Sequence, residues 1–225
     1  MSEAHPLSKT ERPPPSRGDV LADLLNGVDH IAPVISRHRQ DSEINRTLSP
    51  DVVRAMREVG LFRMKSPREV GGAEIHPVDQ MAVVEAVVEL DSAAAWTMFI
   101  GATVTGRALS ALSDEAVDEL MAAPDFPIMA GSLKPSGSAT KVDDGFRISG
   151  QWSWGSGVQH ADHVIVPVLR PDEKGLITAV VPRSQVRIID NWQALGINGS
   201  GSCDYALDDV FVPEHFAITT SGQRR

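Results

Sequence analysis

Apolar positions in the first half of the chain recur every three or four residues; in the second half they recur every two. Val20, Leu21, Leu24, Leu25, Val28, Ile31 and Ile35 make one helical stripe, interrupted late by Pro33. Ser49-Pro50-Asp51 supplies an N-cap, a proline at the first helical position and an early acid, ahead of a helix through Val52, Val53, Met56 and Val59 that stops at Gly60. Pro77 opens a helix through "VDQMAVVEAVVEL", Asp91-Ser92 resets the chain into "AAAWTMFIGATVTGRAL", and Ser113-Asp114-Glu115 starts a last helix closed by Pro124. Beyond Pro124, "FPIMAGSL", "GFRISGQWSW", "HVIVPVLR", "LITAVVP", "VRIIDNW" and "CDYALDDVFVP" read as strands. Asp143-Asp144-Gly145 and the stretch from Pro171 to Gly175 read as turns between them. Helices first and strands second predict an α+β chain, an all-helical N-terminal domain followed by a small β-barrel or sandwich. The expected boundaries are a disordered leader at 1–18, the helical domain at 19–124, the β-domain at 125–217 and a polar tail at 218–225.

Composition narrows the function classes. Hydrophobic residues at 42% support a core, and a formal net charge of -9 without a basic patch argues against nucleic-acid binding. One cysteine, Cys203, rules out an internal disulfide; it fits a reducing cytoplasm and reads as a small buried side chain. The proline-rich N-terminus has no apolar core of signal-peptide length, and the longest apolar run is too short and too interrupted for a membrane span. The expectation is a soluble cytoplasmic protein with no membrane partner.

The stretch Gly150 to Gly157, "GQWSWGSG", holds two of the four tryptophans with glycines on either side. Trp152 and Trp154 are expected on opposite faces of a strand. Two explanations stand: tryptophan plugs at a barrel corner, or an aromatic wall and a nearby hydroxyl for a flat ligand. His160 and His163 in "HADH" lack a third ligand at a recognisable spacing, so no metal site is expected and His160 is read as a strand-end hydrogen-bonder. Asp208-Asp209 read as turn residues before a strand, and Trp96 and Phe99, on an apolar helix, as core, with a substrate-facing role as the alternative.

Three stretches, in order, resemble the acyl-CoA dehydrogenase-like flavoproteins. "VGLFRMKSPREVGGAEI" is similar to the family's glycine-leucine, proline, glycine-glycine signature. "GFRISGQWSWGSGVQHADHVIV" resembles its β-turn and flavin-contacting strand, and "LGINGSGSCDYALDDVFVPEHF" its late β-domain stretch. Leu133-Lys134-Pro135 and Trp152-Ser153-Trp154-Gly155 depart from the dehydrogenase pattern. "AGSLKPSG" and "SGQWSWGSGVQHAD" look like the two-component flavin monooxygenase branch, with Trp154 for the usual Phe and Gly155 for the first Ser.

That resemblance implies FAD or FMN, reduced by a separate flavin reductase, and a small aromatic or apolar substrate. It implies Trp152 and Trp154 as stacking partners of the flavin. Ser156 becomes the catalytic hydroxyl beside its N5 edge, and Ser132 a contact to its pyrimidine edge. Family members continue into a C-terminal helical bundle, which is absent from this chain; a homo-oligomer or a separate helical partner is therefore expected, with weak flavin binding by the chain alone. The alternatives are an acyl-CoA dehydrogenase-type enzyme, whose catalytic glutamate would lie in the absent part, and a non-catalytic vestigial or partner-binding fragment.

Overall fold

A computed structural model describes residues 16–170 and 175–219. Most of the expected leader and tail, and the turn expected at 171–174, lie outside the described residues.

Helix α1 (Arg17–Asn45) starts at Ser16, whose Oγ accepts from Asp19 N–H while the Asp19 carboxylate accepts from Ser16 N–H. These two bonds satisfy donors that a helix start leaves orphaned. Its buried residues, Leu24, Val28, Ile31, Ile35 and Ser42, keep one stripe across Pro33, so the proline does not end the helix. Helices α2 (Pro50–Glu58), α3 (Pro77–Leu90), α4 (Ser92–Ala111) and α5 (Asp114–Met121) follow, each opened by a side-chain cap: Ser49, His76, Asp91 and Ser113. Gly60, at φ 81, turns the chain sharply after α2, in a conformation costly for any residue with a Cβ.

The strands are β1 (Met129–Gly131), β2 (Ser138–Val142), β3 (Gly145–Gly155), β4 (His163–Arg170), β5 (Gly175–Pro182), β6 (Arg187–Ile189), β7 (Cys203–Pro213) and β8 (Ala217–Thr219). They form one mixed sheet in the order β6-β7-β3-β2-β4-β5-β8, with β1 parallel to β4. Strands β2 and β8 carry no clear apolar alternation and are additions to the sequence reading; β8 takes in Ile218 and Thr219, beyond the expected end of the domain. Asp143 and Asp144 do form the two-residue hairpin loop between β2 and β3, with Asp144 at φ 60. Asp208 and Asp209 do not form a turn. They lie within β7, where Asp209 at φ 50 marks an irregularity against β3.

The sheet folds over itself: Tyr205 on β7 donates its hydroxyl proton to Ile165 O on β4 at 2.9 Å. Two cores result. One joins α1, α2, α3 and the first half of α4; the other joins the sheet to the second half of α4 and to α5. The cores therefore divide along α4 rather than at Pro124. That long helix is the shared wall against which the β-domain is fixed.

Candidate functional site

The site grows from an irregularity at the end of β3. In a regular strand, residues two apart share a face, so alternation cannot separate Trp152 from Trp154. A register slip against β7 between Trp152 and Gly155 does so, with Trp154 in the left-handed region at φ 63. The Trp154 N–H is held by Asp204 Oδ1 at 3.3 Å. Trp152 is 1% exposed and Trp154 70% exposed.

Trp152 is a core plug, contrary to the role the resemblance implies. Its ring stacks on Tyr205 with centroids 5.6 Å apart, and its indole N–H donates to Pro167 O at 2.9 Å. One flat face and the polar handle are occupied, so the Trp152 ring is committed to the core, while the residue also borders the small hollow beside Trp154. The flanking glycines serve the same packing. A Cβ on Gly150 would lie 2.9 Å from the Trp152 ring and 2.6 Å from Gly137 Cα; one on Gly155 would lie 2.8 Å from the Tyr205 ring. Burial pushes the ionisation of the Tyr205 phenol far up, leaving a neutral hydroxyl that also accepts from Ser132 N–H at 2.8 Å.

The exposed Trp154 shares a hollow of about 110 Å³ with Ser132, Lys134 and Ser136. That is below the roughly 300 Å³ at which small-molecule pockets begin, so the hollow by itself encloses no drug-sized molecule. Ser132 Oγ accepts from Lys134 N–H at 3.3 Å, which leaves its own proton available. Leu133 beside it is exposed. Larger hollows, about 310 and 590 Å³, lie between α4 and the sheet and beside α2, away from Trp154.

Ser156 lies outside the lining of the Trp154 hollow and turns toward α4. It is 6% exposed, and its Oγ accepts from the Trp96 indole N–H at 2.8 Å. Trp96 is 42% exposed and tilted against Phe99 at 5.9 Å, so the expected core role does not hold for it. On the other side Ser156 Oγ meets Ser202 Oγ at 2.8 Å, which meets Ser200 Oγ at 2.8 Å. These serines sit on a loop whose Ile197 and Gly201 are both at φ 52. Glu43 of α1 fixes that loop, accepting from Asn198 Nδ2 at 2.8 Å and from Gly199 N–H at 3.3 Å. Sequence reading missed Ser200 and Ser202 as neighbours of Ser156 and Glu43 as the clamp on their loop, and placed Trp96 in the core ahead of a substrate-facing role. The one available signal was "GSGS", serines set between glycines ahead of a strand.

His160 lies in the turn after β3, not at a strand end. Leu48 N–H donates to its Nε2 at 3.2 Å, and Thr47 Oγ1 lies 3.0 Å from the same nitrogen. Among the described residues no group of three His, Cys, Asp or Glu side chains could hold a metal ion. Cys203 is buried in β7 and accepts from Gln159 Nε2 at 3.1 Å. No described helix is long and apolar enough to cross a membrane.

Residues 28–121 match the acyl-CoA dehydrogenase N-terminal domain. The described fold aligns with XiaF from Streptomyces, solved with FADH2 and glycerol, at a TM-score of 0.85 and 24% identity, over 93% of this chain and 54% of that one. It aligns with the HsaA monooxygenase from M. tuberculosis at a TM-score of 0.79 and 27% identity, over 88% and 55%. The chain is similar to the acyl-CoA dehydrogenase-like superfamily in sequence over those residues and in fold over most of its length. Beyond residue 121 the likeness rests on the fold alignments and on the curated relatives. In sequence it is 32% identical to an indole-3-acetate monooxygenase of Pseudomonas putida over 209 residues, 92% of this chain and 52% of the relative. It is 29% identical to a pigment production hydroxylase of Rhodococcus sp. over 89% of this chain and 53% of that one. The chain spans about half the length of the curated relatives it matches.

Proposed function

We propose that the chain belongs to the oxygenase component of a two-component flavin-dependent monooxygenase, acting on a small aromatic substrate with reduced FMN or FAD from a separate reductase. Relatives whose names carry that activity support the reading. So do the residues of the site. An exposed indole, Trp154, shares a hollow with the Ser132 hydroxyl, and a flat aromatic ring can stack on such an indole. The flavin, when bound, supplies the activation of oxygen. Trp154 would stack on its face and orient it, Ser132 would hold its pyrimidine edge, and Ser156 would act at its N5 edge. Lys134 stands where the dehydrogenase branch carries a glutamate, which favours the oxygenase chemistry over thioester dehydrogenation.

The carrying observation is the outward Trp154 indole held at positive φ. Completion of the site by a second copy or a helical partner chain is part of the same proposal, because the 110 Å³ hollow is too shallow to enclose a flavin; the proposed setting is the cytoplasm. Titration with oxidised FMN and FAD, and with each reduced under argon, is expected to quench tryptophan emission weakly but saturably. Trp154→Ala should weaken that binding at least fivefold with the fold intact. Equal quenching by the native protein and Trp154→Ala would remove the site.

A further inference from the structure

We infer that the cleft between α2 and the segment 124–126 is a binding site for a small carboxylic acid with a flat apolar body, its carboxylate accepting from the Arg63 guanidinium and from Nδ1–H of His160. This cleft shares no lining residue with the hollow beside Trp154, and the inference does not depend on the flavin reading.

The cleft encloses about 590 Å³, within the range of small-molecule pockets. One face of α2 makes a wall, with Pro50, Val53, Arg54 and Arg57 at helical spacing. Pro124 and Phe126 come from the segment ahead of β1, and His160 from the turn after β3. Pro50, Val53, Pro124 and Phe126 offer apolar surface to a flat body.

The polar groups decide what that body must carry. Arg54 pairs with Asp51 at 2.7 Å and with Glu58 at 4.0 Å. Arg57 pairs with Asp162 at 2.8 Å and with Asp125 at 3.6 Å. Both carboxylates of the lining, Glu58 and Asp125, thus already face an arginine. The third arginine of the lining, Arg63, is exposed, and its guanidinium has no hydrogen bond or ion pair among the described residues. Its seat is nevertheless built. Arg63 N–H donates to Gly60 O at 3.1 Å, and Arg63 O accepts from Ser66 N–H at 3.1 Å and Ala73 N–H at 3.2 Å. A Cβ on Gly60 would lie 2.8 Å from Arg63 Nε, so the side chain rests where a glycine leaves room.

His160 supplies the second donor. Leu48 N–H occupies Nε2, so the proton of the neutral ring sits on Nδ1, and no described residue accepts it. Burial keeps the ring neutral, with its pKa at about 4. Two donors without acceptors therefore line one cleft, and the two oxygens of a carboxylate can accept from both. Glu58 and Asp125 act against a doubly charged phosphate, so a singly charged group is the better match.

The test uses 2-naphthoate, with 2-naphthamide as the same body without the charge and acetate as the same charge without the body. Amide and histidine-ring signals of the full chain are followed in 1H–15N spectra. 2-Naphthoate should shift the amides of Phe126, Gln159 and His160 saturably and move the His160 Nδ1 signal. The amide and acetate should each bind about fivefold more weakly or worse. Arg63→Gln should weaken 2-naphthoate about fivefold, the upper end for an exposed ion pair, and hold 2-naphthamide within about twofold. Unchanged 2-naphthoate affinity in Arg63→Gln, or a His160 ring signal unmoved at saturation, overturns the inference. So does a titration that shows no saturation by about 10 mM, or tighter binding of inorganic phosphate. Shifts centred on Ser132 and Trp154 would place the acid at the exposed indole instead, and overturn it as well.

Discussion

Acidification from about pH 7.5 to about pH 5 is expected to remove about 2 kcal/mol of folding stability through one side chain, His160. The ring joins the turn after β3 to the segment between α1 and α2, with Leu48 N–H donating to Nε2 at 3.2 Å. Nε2 must therefore keep a lone pair, so the ring is neutral and its proton sits on Nδ1. Burial enforces the same state, pushing the pKa from 6.5 down to about 4. The unfolded chain takes up the proton near pH 6.5 and the folded chain only near pH 4. Between those values the unfolded state binds more protons, so stability falls as pH falls. The contribution is fully present above pH 6.5, and its complete loss, reached below pH 4, is about 3 kcal/mol.

Other groups titrate nearby, so the assay is a difference. His163 is also shifted down by burial and acts in the same direction, whereas buried Asp91, shifted up, acts in the opposite one. Both are common to the native protein and His160→Gln. Urea unfolding followed by tryptophan emission, at several pH values across the window, should show the native protein losing about 2 kcal/mol more than the variant. At neutral pH the two should lie within about 1 kcal/mol, because the glutamine carbonyl can accept from Leu48 N–H. Parallel pH curves would refute the assignment of a neutral, load-sharing His160.

Trp152→Phe loses the bond to Pro167 O and opens space beneath Tyr205, and should cost about 2 kcal/mol by urea unfolding; a loss under about 0.5 kcal/mol would contradict the core role. Trp154→Gly relieves a left-handed indole and should raise stability by about 1 kcal/mol while weakening flavin quenching. Glu43→Ala releases Asn198 and Gly199 and should cost about 1.5–3 kcal/mol. It should also speed amide exchange at Ser200 and Ser202 with the β4–β5 amides unchanged.

The helical half was legible because its signals are local: Ser49-Pro50, Pro77, Asp91 and Ser113 each mark a helix start by the chemistry of its first turn. The long strands were legible from alternation. Strands β2 and β8 were not, since their pairing with β3 and β5 is set by neighbours rather than by their own pattern. Pro33 misled in the other direction, because tertiary packing of one stripe carries α1 through it. The site shows the same divide. Ser132 lies in one short stretch that the sequence singles out, "AGSLKPSG", and Trp154 and Ser156 in another, "SGQWSWGSGVQHAD". Trp96 and Ser202 reach Ser156 from 60 and 46 residues away in the chain, Glu43 holds the loop that carries Ser202, and only the fold brings them together.

Backbone strain separates the two explanations of the tryptophan pair. Packing of Trp152 on Tyr205 accounts for Gly150 and Gly155 without any ligand. It does not account for Trp154 and Ile197. Of the other four left-handed non-glycine residues described, three have local reasons, Asp144 in a hairpin, Asp209 at a strand irregularity and Arg46 at the end of α1, and the fourth, Glu74, is a loop residue unbranched at Cβ. Trp154 is an exposed indole and Ile197 a β-branched residue, the types for which that conformation is least favourable. Each costs about 1–3 kcal/mol, a sizeable share of the 5–15 kcal/mol that holds a domain folded. Trp154 stands two residues before Ser156, and Ile197 three before Ser200, so both distortions bracket the same hydroxyl chain. A corner built only for packing would be more stable with glycine at 154 and asparagine at 197. The strain is intelligible where an aromatic face must point outward beside the linked hydroxyls of Ser156, Ser202 and Ser200.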